Sequence, residues 1–224
     1  MTIAEHIHSL KAGIPSTVTL VAVSKTHPAE RVMEAYHAGQ RIFGENKVQE
    51  LTGKAKLLPS DIQWHLIGHL QTNKVKDIVP LVSLIHSVDS LKLLHEVNRQ
   101  GLKCNRVVDV LIQAHIAEEE TKFGMDFTEI NHLLHSEDLR QMHHIRICGL
   151  MGMATNTTDK DQIRKEFRSL RHFFNGFTFP VCFAPVNPEP VNAILSMGMS
   201  SDYMLAIEEG TTMIRIGSTI FGAR

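Results

Sequence analysis

Lys25 is the residue of this 224-residue chain whose type and position most suggest chemistry. It ends an apolar, β-branched run, Thr17 to Ser24, which is typical of a parallel strand buried on both faces. α/β proteins bind ligands at the carboxyl ends of such strands. Partial burial there would lower the pKa of the amine and let it attack an aldehyde to form a Schiff base. A strand-end lysine with its ammonium in water is the alternative that this segment leaves open.

Two later segments have the composition of a phosphate site. Residues 195–203 leave a predicted strand and enter a helix, for which Ser200 and Ser201 are suitable N-caps. Backbone amides at a helix N-terminus bind anions. Residues 215–219 follow the last predicted strand and add a glycine turn and hydroxyl donors. Ordinary turn and cap chemistry explains each segment alone, but together they favour a phosphate-binding pair of loops.

Arg215 and Asn46 are the other polar candidates at predicted strand ends. Arg215 shares one face of its strand with Met213, and inside a barrel its guanidinium would require an acceptor or an anion. An outward-facing arginine is the alternative. Asn46 follows the second predicted strand. A Schiff-base lysine, a phosphate-binding turn and a fixed cation together suit pyridoxal 5'-phosphate.

These residues require a fold that brings strand ends together, and the chain predicts one. Strands alternate with helices, which indicates a single-domain α/β fold over residues 1–224, a (β/α)8 TIM-type barrel. The predicted strands cover 17–25, 41–44, 63–68, 84–88, 106–114, 145–150, 193–196 and 213–217.

Several details of the barrel follow from local patterns. An extra N-terminal helix over 2–12 is expected to cover the gap beside the eighth strand, because the chain ends at Arg224 and no closing helix is predicted there. The helix after the fourth strand is predicted to end at Gly101. The proline-rich stretch 175–192 is predicted to be a surface loop, with a short extended piece over 181–184.

The overall composition excludes several classes of protein. The chain is 43% hydrophobic and 21% charged, with a net charge of −1, so it has no general attraction for nucleic acid or anionic membranes. Three cysteines are too few for a disulfide framework, and the start of the chain lacks a signal-peptide pattern, so we expect a cytoplasmic protein. His65 and His69 are four residues apart across a strand-to-loop bend and not on one helix face, so no metal site is expected.

Seven segments, spread in order over nearly the whole chain, match one family. They are 22–26, 43–50, 64–74, 86–89, 149–151, 195–203 and 214–222. With these segments the chain resembles the pyridoxal phosphate homeostasis proteins, which are single-barrel relatives of the N-terminal domain of alanine racemase. The one visible departure is the proline-rich stretch before the seventh strand, where relatives are more helical.

The resemblance implies a role for each candidate residue. Lys25 would hold pyridoxal 5'-phosphate as an internal aldimine, Arg215 would face the pyridine nitrogen, and Asn46 would lie beside the ring. Lys122 also matches a family motif, and its role and that of Lys47 are open. Residues of the last two loops would surround the phosphate: Ser196, Met197, Ser200, Gly217 and Ser218.

The resemblance favours a binding protein over an enzyme. An arginine stays protonated, so it leaves the ring nitrogen unprotonated and the ring a weaker electron sink. Racemases of this fold add a tyrosine base from a partner subunit's extra domain, whereas Tyr36 and Tyr203 are predicted to be packing residues here. The implied function is intracellular vitamin B6 homeostasis without catalysis. A racemase or other weak pyridoxal phosphate enzyme is the main alternative, and an aldolase that uses Lys25 without a cofactor is a third.

The same interpretation sets the expected partners. We expect the chain to bind pyridoxal phosphate and, transiently, apoenzymes that depend on it. We expect no nucleic acid or membrane partner, and a monomer.

Overall fold

A computed structural model describes residues 1–119, 123–184 and 191–222. Parallel strands close into a barrel, with the first strand hydrogen-bonded to both the second and the last. The predicted (β/α)8 TIM-type fold is therefore confirmed. The strands are β1 (Thr19–Val23), β2 (Ile42–Glu45), β3 (Gln63–Leu66), β4 (Val82–Val88), β5 (Val108–Ala114), β6 (Ile145–Gly152), β7 (Val181–Cys182), β8 (Ile194–Ser196) and β9 (Met213–Ile216).

Helices follow the strands and cover the outside of the barrel. A short 3-10 turn over Thr72–Lys74 precedes the fourth helix. The helices are α1 (Ile3–Gly13), α2 (Ala29–His37), α3 (Val48–Ala55), α4 (Val75–Ile78), α5 (Leu91–Lys103), α6 (Phe127–His135), α7 (Glu137–Arg140), α8 (Lys160–Asn175), α9 (Tyr203–Glu208) and α10 (Ser218–Phe221).

The N-terminal helix α1 packs against α2 and α10, beside the last strand, as predicted. A capping box of Thr2 and Glu5 starts it, and its apolar residues at helical spacing are buried. The Nδ1 atom of His6 lies 3.0 Å from the carbonyl oxygen of Ile220 in α10. No closing helix was predicted after the last strand, and the structure has a single helical turn there, α10.

The strands separate two apolar regions, and this separation determines where a ligand can bind. The larger region lies between the strands and the helices. The smaller one fills the barrel interior and includes Val21, Leu84, Cys148 and Met213. Cys148 in this layer is a free, buried cysteine, and burial raises the pKa of its thiol to about 12. Since side chains alternate along a strand, residues two or four positions after this interior layer face the carboxyl-terminal mouth.

Of two local predictions, one about the end of a helix was wrong and one about an extended segment is confirmed. Helix α5 continues through Gly101 to Lys103, so the predicted helix end was wrong. Gly101 is needed for close packing, because a Cβ atom there would lie 2.7 Å from the carbonyl oxygen of His144. The predicted extended piece exists as β7, which pairs antiparallel with β6. Residues 185–190, which include three of the prolines in the predicted loop, lie outside the described residues.

Neither a cluster of metal-binding side chains nor a membrane-spanning helix is found in the ranges that the structure describes. Among these residues no group of three or more histidine, cysteine or acidic side chains could hold a metal ion. No helix in the same ranges has the length and apolar character required to cross a membrane.

Candidate functional site

A cavity of about 510 Å³ opens at the carboxyl ends of the barrel strands. This is the edge where barrels of this type place their ligands. Six of the eight residues predicted to bind the cofactor line it: Lys25, Asn46, Ser200, Arg215, Gly217 and Ser218.

Lys25 reaches the cavity from the turn that follows β1. Val21 belongs to the interior layer and Val23 lines the cavity, so the alternation along the chain brings Lys25 to the mouth. The strand ends at Val23, two residues earlier than predicted, and Lys25 is half-buried in the turn. Thr26, the next residue, has a φ of 67°, in the left-handed region that non-glycine residues rarely adopt.

Arg215 points into the barrel, so the outward-facing alternative is wrong. Its side chain follows the interior residue Met213 on the same face of β9, and the residue is only 4% exposed. One guanidinium nitrogen donates to Ser196 Oγ at 2.6 Å and another to the carbonyl oxygen of Gly152 at 3.0 Å. Both of these partners are neutral. Burial lowers the pKa of Arg215 to about 10, and the negative charge of Asp202 acts in the opposite direction.

A buried chain of polar side chains continues from Arg215 across the barrel. Ser196 Oγ lies 3.2 Å from His86 Nδ1, and His86 Nε2 lies 3.0 Å from His65 Nδ1. Burial lowers the pKa of His65 to about 3. Burial, together with the nearby His65 and Arg215, also lowers the pKa of His86 far below its ordinary value. Both imidazoles are therefore neutral near pH 7.

Ser196 joins Arg215 to the histidine pair. Its oxygen accepts from Arg215, and a neutral imidazole has one donor and one acceptor nitrogen, so each histidine can continue the chain of hydrogen bonds. Ser196 thus lies beneath Arg215 and does not line the cavity. Sequence reasoning missed this role for both histidines, although two histidines within apolar buried strands were the available signal.

The loops after β8 and β9 meet at the rim of the cavity. Gly217 N–H donates to Ser200 Oγ at 3.3 Å, and Arg215 N–H donates to the carbonyl oxygen of Gly198 at 3.0 Å. Ser200 was predicted to be a helix N-cap, which was wrong. Helix α9 begins later, after Asp202, and the hydroxyl of Ser200 is directed to the neighbouring loop instead.

Gly198 lets the loop after β8 pass close to α9. Its φ is +90°, and a Cβ atom there would lie 2.7 Å from Ala206 Cβ and 2.9 Å from Tyr203 Cα. Tyr203 is partly buried and packs against the outer core, and it does not line the cavity. Met197 was predicted to contact the cofactor, but its side chain is fully buried in that same outer core.

Asn46 reaches the cavity because another glycine leaves it room. A Cβ atom on Gly68 would lie 2.4 Å from the backbone oxygen of Asn46. The position of Gly68 is in turn fixed by Ser87, whose hydroxyl donates to its carbonyl oxygen at 2.6 Å. Lys47, the residue after Asn46, is exposed and does not line the cavity, and Lys122 lies outside the described residues.

Further side chains line the cavity that sequence reasoning did not select. His27 is the titratable one, two residues after Lys25, and its ring stacks on Phe221 at a centroid distance of 5.0 Å. Ile67 and Met153 form apolar parts of the wall. The two histidines that were weighed as a metal pair have separate partners: His69 Nδ1 lies 3.1 Å from Asp89 Oδ2, and His65 Nδ1 lies 3.0 Å from His86 Nε2.

The chain is a single barrel with a lysine and a buried arginine at its mouth, and comparison with known families shows which class of barrel this is. The family model for the alanine racemase N-terminal domain matches residues 1–224.

Relatives of similar length narrow the class. The chain is 38% identical to the pyridoxal phosphate homeostasis protein of Aquifex aeolicus over 206 residues, which is 92% of this chain and 86% of that protein. It is 39% identical over 211 residues to the protein of the same name from Schizosaccharomyces pombe, covering 92% of this chain and 84% of that one. The chain belongs to the pyridoxal phosphate homeostasis protein family.

A solved structure of similar fold comes from Synechococcus elongatus. PipY without pyridoxal phosphate superposes with a TM-score of 0.86 at 36% identity, covering 99% of this chain and all of that one. The structure of PipY with pyridoxal phosphate bound superposes with a TM-score of 0.83 at 37% identity and the same coverage.

Proposed function

We propose that this protein binds pyridoxal 5'-phosphate in the barrel cavity and holds it covalently through Lys25. The observation that carries the proposal is the buried guanidinium of Arg215, which shares the cavity with Lys25 and whose described hydrogen-bond partners are neutral groups. A buried cation favours a ligand that supplies a further acceptor. The pyridine nitrogen of this cofactor is such an acceptor.

The other residues of the cavity have complementary tasks. The cofactor supplies an aldehyde, which condenses with an amine and releases water, and Lys25 carries that amine. Ser200 and Ser218 would donate their hydroxyl protons to the phosphate at the opposite rim, and the amide of Gly217, which donates to Ser200 Oγ, would hold Ser200 in place. Asn46 would contact the ring. Ser196 would act from below by holding Arg215.

A role in vitamin B6 homeostasis is the biological part of the proposal. It is supported by relatives that carry the name pyridoxal phosphate homeostasis protein and by the PipY structure with pyridoxal phosphate bound. We propose that one barrel domain, residues 1–224, carries this role as a cytoplasmic monomer. It would exchange cofactor transiently with apoenzymes and would not itself turn over amino acids. Tyr203, predicted to be a packing residue, packs outside the cavity, so it supplies no second base for the alternative of a racemase.

The covalent assignment is tested by reduction. Purified protein loaded with pyridoxal 5'-phosphate is treated with borohydride, and the labelled peptide is identified by mass spectrometry. We expect one stable adduct, on Lys25. Lys25→Ala should lose it, whereas Lys47→Ala, the control at an exposed lysine, should retain it. An adduct of equal stoichiometry in Lys25→Ala would show that another lysine holds the cofactor.

A further inference from the structure

A buried cluster of charged residues lies beside the β1 turn, away from the cavity wall. Glu45 ends β2 and is fully buried, and Lys54 projects from α3 with a side chain only 10% exposed. Lys54 Nζ lies 2.6 Å from Glu45 Oε1 and 3.5 Å from Glu50 Oε2. None of these three residues lines the cavity.

The cluster is bonded to the two peptide groups on either side of the Lys25 Cα atom. The carbonyl oxygen of Ser24 accepts from Lys54 Nζ at 2.8 Å, and the N–H of Thr26 donates to Glu50 Oε2 at 2.7 Å. The Ser24 hydroxyl adds a third bond, to Glu45 Oε1 at 2.6 Å. The backbone that carries Lys25 is thus held on both sides by charged groups.

The turn needs such support, because its conformation is unfavourable. Thr26 is β-branched and has a φ of 67°, a conformation that persists where the surroundings hold it. The carboxylate of Glu50 accepts the N–H of this same residue. Burial opposes the ionisation of Glu50, yet the hydrogen bond from Thr26 and the charge of Lys54 outweigh burial and lower its pKa, so the anion is present near pH 7.

Stability alone does not account for this arrangement. A buried group of charges is often no more stabilising than apolar residues of the same volume. Burial raises the pKa of Glu45, and its Oε2 atom has no hydrogen-bond partner among the described residues. The bonds fall on the two peptide groups that flank Lys25, which is where they can control its direction.

We propose that Glu45, Glu50 and Lys54 are positioning residues that fix the β1 turn so that the Lys25 amine is directed into the cavity. This inference rests on the proposed function, in which Lys25 forms the covalent bond. Because the three residues act through the backbone of Lys25, they should affect the covalent step and leave the recognition of phosphate and ring unchanged.

The test compares two ligands on the same variants. Pyridoxal 5'-phosphate has the aldehyde, and pyridoxine 5'-phosphate has the same ring and phosphate without it. In Glu50→Ala we expect the dissociation constant for pyridoxal 5'-phosphate to rise by about tenfold, the order for one lost charge-assisted bond. The dissociation constant of Glu50→Ala for pyridoxine 5'-phosphate should stay within about twofold of the wild-type value, because this ligand makes only non-covalent contacts and the variant keeps them. Glu50→Gln, which keeps an oxygen acceptor for Thr26, should restore most of the loss.

Controls separate this inference from general destabilisation and from the proposed function. Glu96→Ala removes a comparable helix-surface carboxylate bonded to Arg99 and should change neither affinity. If Glu50→Ala does not fold, Glu50→Asp carries the same test, because it keeps the charge and withdraws it by one methylene group. Equal weakening for both ligands, or no weakening for either, would overturn the positioning role. If the wild-type protein forms no adduct on Lys25 after reduction, the proposed function would instead be overturned.

Discussion

Replacing Arg215 with glutamine should separate the stability of the protein from its affinity for the cofactor. The pKa of this buried guanidinium falls from its ordinary value to about 10, which corresponds to about 3 kcal/mol. Because the pKa is lower in the folded state than in the unfolded state, the charge favours unfolding at every pH below about 10. Arg215→Gln removes this penalty at neutral pH.

The substitution also has a cost of similar size in the ligand-free protein. The shorter amide of glutamine can reach one of the two acceptors that Arg215 satisfies, Ser196 Oγ or the carbonyl oxygen of Gly152. Leaving the other buried and unsatisfied costs about 1–3 kcal/mol. The two effects oppose each other, so we expect the free energy of unfolding without ligand to change by less than about 2 kcal/mol.

The affinity for the cofactor has no such compensation. A hydrogen bond from a charged donor contributes about 1.5–3 kcal/mol, so its loss should raise the dissociation constant by about ten- to a hundredfold. The assay is a spectroscopic titration with pyridoxal 5'-phosphate, paired with urea unfolding of the ligand-free protein. Unchanged affinity would remove Arg215 from the site, and an affinity loss matched by an equal loss of stability would refute the separation.

Arg146 provides a matched control for this prediction. It is also buried, but it makes two bonds to the carboxylate of Asp109, at 2.7 and 2.8 Å, and lies away from the cavity. Arg146→Gln leaves that carboxylate without its cation, so we expect reduced stability and unchanged cofactor affinity.

Two further predictions follow from the same site. His65 has a folded-state pKa of about 3 and that of His86 is also strongly lowered, so only the unfolded state takes up these protons near pH 5. The free energy of unfolding should therefore fall between pH 7 and pH 5, by about 2 kcal/mol from His65 with a further loss from His86, and urea unfolding of His65→Gln should show a smaller fall than the wild type. Loaded protein incubated with L-alanine in deuterated water should form D-alanine far more slowly than about one turnover per second, because exchange on both faces needs a second acid-base group opposite Lys25. Rapid deuterium incorporation with D-alanine formation would support the racemase.

Residues whose role depends on their own strand were predictable from the sequence. Lys25 ends an apolar run, and Arg215 shares a strand face with Met213, so each could be assigned to a strand end before its surroundings were known. The barrel followed from alternating elements in the same way. Predicted element ends were less accurate, since Gly101 resembles a helix end but serves the packing of α5 against the segment before β6.

Contacts between distant segments were not predictable from one sequence. Three contacts of the site join strands or loops that are far apart in the chain. They are the bond from Arg215 to Ser196, the contact of Ser196 with His86, and the bond from Gly217 to Ser200. The ties from α3 to the turn at Lys25 are of the same kind.

The sequence alone therefore determined the barrel and the chemical types of the side chains at its strand ends, because strand alternation and burial patterns are local. Which of those side chains share the cavity was decided only by the tertiary structure. Met197 is an example. It lies next to Ser196 in a segment with the composition of a phosphate site, yet the alternation of side chains directs it into the outer core. Closure of the strands into a ring is the physical reason, because it brings together residues that no spacing along the chain relates.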